Sequence, residues 1–192
     1  MIDDSLTPRA FETLERLSNL LRAQEREGGA EVGLHPVHLQ ALWFLGRANR
    51  YSDTPASVAD YLGITRGAAS TSIRVLRERD LVHERRDPDD GRVSRLSLSD
   101  AGRALLAREL PPRVFENAIA ALGSDAETLN RLLVQVLRGV QRHSGGRSFG
   151  ICGSCSHFTV DASGTRCGLT GEPLSPPEAE LLCREHEDPV GA

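Results

Sequence analysis

Apolar residues recur at spacings of three and four through much of the chain, which is typical of amphipathic helices. This pattern predicts helices at about 8–27, 36–48, 54–62, 65–79, 99–110 and 124–140. Capping and stopping residues set their ends. The expected starts are Thr7-Pro8, Thr54-Pro55, Thr65, Ser99 or Asp100, and the capping box Ser124–Glu127. The expected stops are Gly28-Gly29 and Gly63, and Pro111-Pro112 should interrupt or end the fifth helix.

The period of the pattern changes between residues 81 and 98. Two alternating runs, 81–85 and 93–98, flank a polar turn rich in Asp, Pro and Gly, which is typical of a β-hairpin. Two short helices on either side of Gly63, followed at once by a hairpin, are the parts of a winged helix-turn-helix. In that arrangement the first helix supports the second, which enters the major groove of DNA.

The fourth predicted helix has two different faces. Ala69, Ile73 and Leu76 form an apolar side that a protein core would bury. The opposite side combines small polar residues with arginine, so that DNA could approach its backbone closely: Arg66, Gly67, Ser70, Thr71 and Arg74. An ordinary solvated helix face would suit the same residues.

The turn of the predicted hairpin has arginine on both sides of an acidic segment. Arg85 and Arg86 precede this segment, and Arg92 follows it. Arginine at such a tip can enter the narrow minor groove of DNA, and a nearby aspartate can hold its guanidinium in position. A solvent-exposed turn with neutralising ion pairs is the alternative.

The run LGITRGAASTSIRVLRERDLVHERRDPDDGRVSRLSLSDAG, residues 62–102, resembles the third and fourth helices, the wing and the entry into the fifth helix of the MarR family. Its most specific part is DPDDGR followed by LSLSDAG, with Ser99 where the family usually has threonine. The similarity extends over about residues 8–143. It implies a mainly α winged helix-turn-helix with a small β wing, a homodimer built from the first and last helices, and binding to a pseudo-palindromic double-stranded DNA site, usually as a repressor.

The resemblance also implies roles for individual residues. The candidate DNA contacts are Thr65, Arg66, Gly67, Ser70, Thr71 and Arg74 on the helix, and Arg86 and Arg92 on the wing with Asp90 as the orienting partner of Arg92. Many family members respond to phenolic ligands in a cleft beside the dimerisation helices, so a small-molecule effector is an open alternative. Others sense oxidants through a cysteine in the first helix, which fails here because no cysteine precedes Cys152.

All four cysteines lie in the last 41 residues, at positions 152, 155, 167 and 183. A CxxC pair brings two thiolates to one metal, and two further cysteines complete a tetrahedral set. A segment this short forms little core by itself, so a metal would be expected to stabilise it. Residues 158–160 and 166–169 are expected to pair as strands, and Ser175–Glu178 to cap a short helix. We therefore predict three regions: 1–143, a linker at 144–150, and a metal-binding module at 151–188.

The identity of the metal is less clear from spacing. Structural zinc sites more often use two close pairs of ligands, whereas Cys152 and Cys155 form one pair and Cys167 and Cys183 stand apart. The spacing resembles small high-potential-type iron–sulfur modules, so an iron–sulfur cluster, most simply 4Fe–4S, is favoured and Zn is the alternative. His157 and His186 could substitute as ligands, support the ligands through hydrogen bonds, or be exposed.

Composition limits the function further. All 23 basic residues are arginine, and the net charge of −4 arises after residue 143, where three arginines face seven acids. A DNA-binding surface must therefore be a local patch. We expect a cytoplasmic protein, because no stretch approaches a membrane span and the N-terminus lacks a leader pattern. The absence of a nucleotide loop, paired catalytic carboxylates or an activated nucleophile argues against an enzyme.

Overall fold

The computed structural model describes residues 5–162 and 164–189. Its helices and strands follow in this order: α1 (Leu6–Glu31), α2 (Pro36–Arg47), α3 (Pro55–Leu62), α4 (Arg66–Glu78), β1 (Val82–Arg86), β2 (Ser94–Leu98), α5 (Asp100–Glu109), α6 (Arg113–Ala120), α7 (Asp125–Ser144), a 3₁₀ turn at Cys152–Ser154, β3 (Phe158–Asp161), β4 (Gly164–Cys167) and α8 (Pro176–Ala179). Each pair of strands forms a separate antiparallel hairpin. The prediction of a mainly helical chain with a small β wing is confirmed.

The main core lies between α2, α3, α4 and the β1–β2 hairpin. Its largest completely buried apolar side chains come from the inner faces of three helices: Leu39, Leu42, Phe44, Val58 and Leu76. Leu96 and Leu98 of β2 alternate inward and close the core from the hairpin side. This packing fixes α4 on α3 and the wing beside α4.

Local signals set the ends of α3 and α4 as predicted. The Thr54 hydroxyl accepts a hydrogen bond from the Ser57 amide, and the Thr65 hydroxyl accepts one from Ala68 at 3.2 Å. Gly63 ends α3 with a φ of 64°, a left-handed conformation that glycine adopts without steric cost. The turn between the two helices is therefore short enough to hold α4 across α3.

The bounds of α1 differ from the prediction. The helix begins at Leu6 after Ser5, not at the Thr7-Pro8 pair, and continues through Gly28-Gly29 to Glu31. Gly29 does not end the helix; it permits a close approach, since a Cβ there would lie 2.5 Å from the carbonyl oxygen of Leu34. The left-handed residue that follows the helix is Gly33, with a φ of 66°.

Two features after α5 also depart from the sequence expectation. Pro111-Pro112, which the sequence predicts to interrupt or end the fifth helix, are followed by a separate helix, α6, whose bounds the sequence did not predict. The predicted capping box at the start of α7 is wrong: Ser124 has a helical conformation and its side chain makes no capping hydrogen bond. The amide of Asp125 instead donates to the carbonyl of Leu122. A turn therefore leads directly into α7, and the Ser124 hydroxyl does not cap the helix.

Three helices, α1, α6 and α7, contribute little to the core of a single chain. Of the described residues, α6 and α7 bury none and α1 buries only Gly29. Their large apolar side chains are exposed: Leu6, Phe11, Leu14, Leu17 and Leu20 on α1, Val114 on α6, and Leu132, Val136, Leu137 and Val140 on α7. Apolar faces of this size are buried from water only when another surface covers them.

The C-terminal segment, residues 145–162 and 164–189, packs against the winged region formed by α2, α3, α4 and the β1–β2 hairpin. Phe149 is buried against the rings of Phe44 and Tyr61, at centroid distances of 5.7 and 5.3 Å. The amide of Leu182 donates to the carbonyl of Arg47, and its own carbonyl accepts from the amide of Asn49. The segment is thus attached to the end of α2 and the α2–α3 turn.

The local structure of this segment follows the prediction in outline. The second strand occupies 164–167, two residues earlier than expected, and pairs Phe158 with Cys167. The capping box of Ser175 and Glu178 at the start of α8 is confirmed. Within 5–162 and 164–189, no helix is both long and apolar enough to cross a membrane.

Candidate nucleic-acid interface and cysteine cavity

The outer face of α4 presents the side chains expected from the sequence. Ala69, Ile73 and Leu76 are buried, so the helix can turn only its other side to solvent. The expected contact residues are all exposed: Thr65, Arg66, Gly67, Ser70, Thr71 and Arg74. Of the two arginines, Arg74 pairs with Glu78 along the helix and Arg66 with Asp60 of α3.

The wing tip holds a nearly free arginine beside an aspartate. The Arg92 side chain is 93% exposed, and its Nε lies 3.2 Å from Oδ1 of Asp90. The same oxygen accepts the backbone amide of Arg92 at 3.0 Å. Arg86 ends β1 and is also exposed. The wing therefore presents guanidinium groups to solvent, with one of them oriented by a carboxylate.

Helix and wing face one open groove of about 580 Å³. Arg66 and Ser70 line it from α4, and Arg92 and Ser94 line it from the wing. Thr71 and Arg74 line a neighbouring depression along α4. Arg86 and Asp90 line neither of these two depressions. Residues more than 20 positions apart in sequence are thus combined on a single cationic surface.

A further wing arginine, Arg95, was not identified from the sequence. Its Nε donates to Asp87 Oδ2 at 2.6 Å, and its Nη1 donates to Asp53 Oδ1 at 2.9 Å. Two backbone amides of the turn, those of Asp90 and Asp89, together with Arg95 lower the pKa of Asp87 to about 2. Burial raises the pKa of Asp53, and Arg95 opposes that shift. The alternation of side chains along β2 places Arg95 on the outer face of the hairpin. Its contact with Asp53, which holds the wing against the α2–α3 turn, is visible only in the structure.

The four cysteines line one small cavity in the C-terminal segment. All four are free thiols, and Phe158, Leu169 and Leu174 supply apolar walls. The cavity measures about 20 Å³, roughly the room for a single ion or water. As placed, no group of three or more His, Cys, Asp or Glu side chains among the described residues is arranged to hold a metal ion. The predicted metal site is therefore not confirmed, although its four candidate ligands share one cavity.

Hydrogen bonds reach the sulfur atoms from outside the cavity. Asn49 Nδ2 donates to Cys152 Sγ at 3.3 Å, and the amide of Glu187 donates to Cys155 Sγ at 3.4 Å. A hydrogen bond between Cys152 and Cys183 raises the pKa of Cys152 and lowers the pKa of Cys183. Donors to sulfur stabilise thiolate, the form that ligates metals.

The two histidines near the cysteines have different surroundings. Both ring nitrogens of the buried His186 meet serine hydroxyls, Ser148 at 2.7 Å and Ser154 at 3.0 Å. Burial lowers the pKa of this histidine. His157 lines the cavity, and its Nε2 lies 3.2 Å from Glu187. In this arrangement His186 connects the linker to the CxxC turn, whereas His157 sits at the cavity wall.

Comparison with known proteins supports the winged-helix assignment. Residues 32–93, roughly a third of the chain, match a sequence model of the MarR family. This segment runs from the end of α1 through α4 and into the wing. No curated protein matches the chain significantly in sequence.

Several solved structures share the fold over most of their own length. The transcriptional repressor CouR, bound to a 23-mer DNA duplex, is 27% identical with a TM-score of 0.53, over 65% of this chain and 89% of CouR. A MepR–DNA complex from S. aureus is 17% identical with a TM-score of 0.52, over 67% and 96%. A MarR family regulator from Silicibacter pomeroyi is 19% identical with a TM-score of 0.57, over 70% and 88%. The chain has a MarR-like winged-helix fold.

Proposed function

We propose that this protein is a MarR-type transcription regulator that binds double-stranded DNA with α4 and the wing. One observation carries the proposal: exposed Arg66, Ser70 and Arg92 line a single groove between these two elements. The major groove of DNA is about 12 Å wide and admits one helix. The small outer residues of α4 let its backbone approach closely, and the family match covers this same region.

The residues divide into two kinds of contact. On α4, the proposed contacts to the major groove or its phosphates are Thr65, Arg66, Gly67, Ser70, Thr71 and Arg74. On the wing, Arg92 enters the adjacent minor groove while Asp90 orients its guanidinium, and Arg86 meets a phosphate. Base-edge contacts would set sequence preference, and phosphate contacts would set position.

The proposed DNA-binding form is a homodimer. A second copy would cover the apolar faces of α1 and α7, where Phe11, Leu20 and Val140 are more than 60% exposed. Burying each such side chain contributes about 1.5–3 kcal/mol. Two symmetry-related α4 helices would then read a pseudo-palindrome, and occupancy of such a site near a promoter would repress transcription.

The four cysteines are the proposed ligands of a metal centre. Cys152, Cys155, Cys167 and Cys183 line one apolar cavity, and two of the sulfurs accept N–H hydrogen bonds. Their spacing favours a 4Fe–4S cluster, although the cavity of about 20 Å³ is too small for a cluster as it stands. The small volume suits Zn, the alternative. When bound, a cluster would supply sensitivity to oxidants, oxygen or iron supply; the chain supplies the thiolates and the attachment of this site to the winged region.

A small aromatic effector is the second candidate signal. A cleft of about 410 Å³ lies between α2, β2 and α5, with Leu45, Leu106 and Leu98 among its apolar walls. Arg103 at its edge could pair with an acidic group on such a ligand. In this alternative the cysteines form a structural zinc site or a surface for another protein.

Selection from random DNA tests the proposed function. The full-length protein is incubated with random duplexes about three helical turns long, and bound sequences are recovered. We expect a pseudo-palindromic motif bound by two chains, with affinity that falls as salt rises. Sequence-indifferent binding, or one chain per duplex, would contradict the proposal.

Metal analysis with a visible spectrum separates the metal alternatives. Protein purified without oxygen should carry about four irons per chain and absorb broadly in the visible range if a 4Fe–4S cluster is bound. A colourless protein with about one zinc per chain would make the site structural. Protein with neither metal after reconstitution with iron and sulfide or with zinc would refute the metal centre.

A further inference from the structure

One carboxylate, Asp60 of α3, joins the C-terminal segment to the DNA-reading helix. Its Oδ1 lies 3.2 Å from Arg66 Nη2, in the first turn of α4. Its Oδ2 accepts two hydrogen bonds from Arg184, at 2.7 Å from Nη2 and 2.9 Å from Nε. Arg147 lies 3.6 Å from the same oxygen. Asp60 is therefore shared between one proposed DNA contact and two arginines of the C-terminal segment.

The attachment of the C-terminal segment fixes Arg184. Its backbone amide donates to Ser52 Oγ at 2.8 Å, and Ser52 is completely buried in the α2–α3 turn. The preceding residue, Cys183, is one of the four cysteines and donates its amide to the carbonyl of Gly150. The position of Arg184 is thus set by the backbone next to a cavity-lining thiol.

The two ends of this arrangement differ in burial. The side chains of Asp60 and Arg184 are 25% and 23% exposed, whereas that of Arg66 is 60% exposed. Two nitrogens of Arg184 donate to one oxygen of Asp60, in a site better screened from water, so this pair is the stronger of the two. Arg66 and Arg184 both line the groove that also contains Arg92. Arg184 therefore neutralises a carboxylate that lies at the edge of the proposed DNA surface.

We infer that Arg184 is a positioning residue for DNA binding: it neutralises Asp60 through Oδ2, so that the pair of Oδ1 with Arg66 is weak enough for DNA to compete for this guanidinium. Without Arg184, Asp60 would hold Arg66 more strongly against a phosphate. With Arg147 at 3.6 Å as the cation left beside Oδ2, Asp60 would also present more negative charge to the duplex. The C-terminal segment is then part of the DNA-reading unit and not a separate appendage. This inference rests on the proposed DNA-binding function.

The same geometry gives a route from the cysteines to DNA. Cys183 and Arg184 are adjacent, so a change of ligation or oxidation that moves Cys183 would also move the guanidinium away from Asp60. The result is weaker DNA binding through Arg66, with no displacement of α7 required. Regulation would therefore act by changing how strongly Asp60 holds the Arg66 guanidinium at the start of α4.

A double-mutant cycle tests the inference. The probe is the duplex that the unmodified protein selects from a random pool, and the measurement is its affinity for each variant. Arg184→Met should weaken binding about five- to tenfold, a typical size for coupling between sites. Asp60→Asn should bind as tightly as the unmodified protein or more tightly. In the Asp60→Asn background, Arg184→Met should change affinity less than about twofold, since the carboxylate is gone.

A matched control removes another arginine ion pair of the C-terminal segment. Arg138 of α7 pairs with Asp188 at 2.9 Å and is 25% exposed, so Arg138→Met deletes one charge and one attachment without touching Asp60. This variant should bind DNA like the unmodified protein. Normal affinity of the double variant also shows that loss of Arg184 does not unfold the chain.

Three results would overturn the inference: an unchanged affinity for Arg184→Met, an equal loss with and without Asp60, or an equal loss for Arg138→Met. If the unmodified protein selects no duplex at all, the proposed function fails first. The two failures are therefore distinguishable.

Discussion

Two arginines of the wing, Arg92 and Arg95, have different surroundings. Arg92 is 93% exposed and pairs with Asp90 of its own turn. Arg95 is 21% exposed and joins Asp87 of the wing to Asp53 of the α2–α3 turn. The first is available to DNA, while the second holds the hairpin against the helices.

Replacement of Arg92 tests the exposed arginine. Arg92→Ala should weaken binding to the selected duplex and lower the slope of log affinity against log salt by about one, because one phosphate or narrow-groove contact is lost. Affinity is measured by fluorescence anisotropy at several salt concentrations. The control is Arg108→Ala at the far end of α5, which removes an arginine whose side chain is 60% exposed. A slope that does not change would show that the wing is assigned wrongly.

His38 gives a residue-scale prediction for pH. Burial lowers its pKa below the ordinary 6.5, helped by His35 and Arg79, and its Nδ1 accepts the amide of His35. Below about pH 6.5 the unfolded chain takes up a proton that the folded protein resists. The free energy of unfolding should therefore decrease as the pH falls through this range.

Urea unfolding at two pH values measures the effect. The midpoint should fall between about pH 7.5 and about pH 5.5, and His38→Asn, which keeps an acceptor near Nδ1, should reduce that fall. His143→Asn on the exposed surface of α7 is the control. An identical pH dependence in the unmodified protein and His38→Asn would refute the assignment.

At the scale of elements, the sequence predicts helix ends best where hydrogen bonds between near neighbours in the chain determine them. Thr54, Gly63 and Thr65 mark the ends of α3 and α4 through bonds within four residues, and their roles are visible in the sequence. The end of α1 was predicted wrongly because Gly29 does not stop the helix. Glycine is required there by the close approach of the Leu34 carbonyl oxygen. Attachment of the C-terminal segment could not be predicted, since Asn49 meets Cys152 across 103 positions.

The apolar face of α7 leads to an element-scale prediction. Leu137 is 53% exposed in the single chain and would be buried by the proposed partner copy. Leu137→Glu should convert the dimer to a folded monomer, because a carboxylate replaces an apolar contact on each side of the symmetry axis. Sedimentation gives the mass, and circular dichroism reports the helices.

Gln135→Glu on the same helix is the matched control, since it adds the same charge at an exposed polar position. It should remain dimeric. A dimeric Leu137→Glu variant would mean that α7 does not form the interface.

In the whole molecule, the winged region and the C-terminal segment form one packed unit, while α1, α6 and α7 keep exposed apolar faces. Leu182 bridges α2 and Ile151, and Phe149 fills part of the main core. The stability of the segment should therefore depend on both its own cysteines and its contacts with the α2–α3 turn.

Proteolysis tests the contribution of the cysteines. Cys167→Ser should speed tryptic cleavage after Arg166 and Arg184, because loss of one proposed metal ligand would loosen the segment that contains these arginines. Cleavage within α4 should be unchanged. Thr159→Ser, on exposed β3, is the control and should be cut at the rate of the unmodified protein. Equal rates for both variants would show that the cysteines do not stabilise the segment.

The most direct measurement is the affinity of one anaerobic preparation for its selected duplex, before and after exposure to air. Oxidation of the cysteine site should move Cys183 and Arg184, strengthen the existing pair of Asp60 with Arg66, and weaken DNA binding by about five- to tenfold. Arg138→Met should show the same change, and Asp60→Asn should show almost none. Equal affinity before and after air would contradict control of DNA binding by the cysteine site.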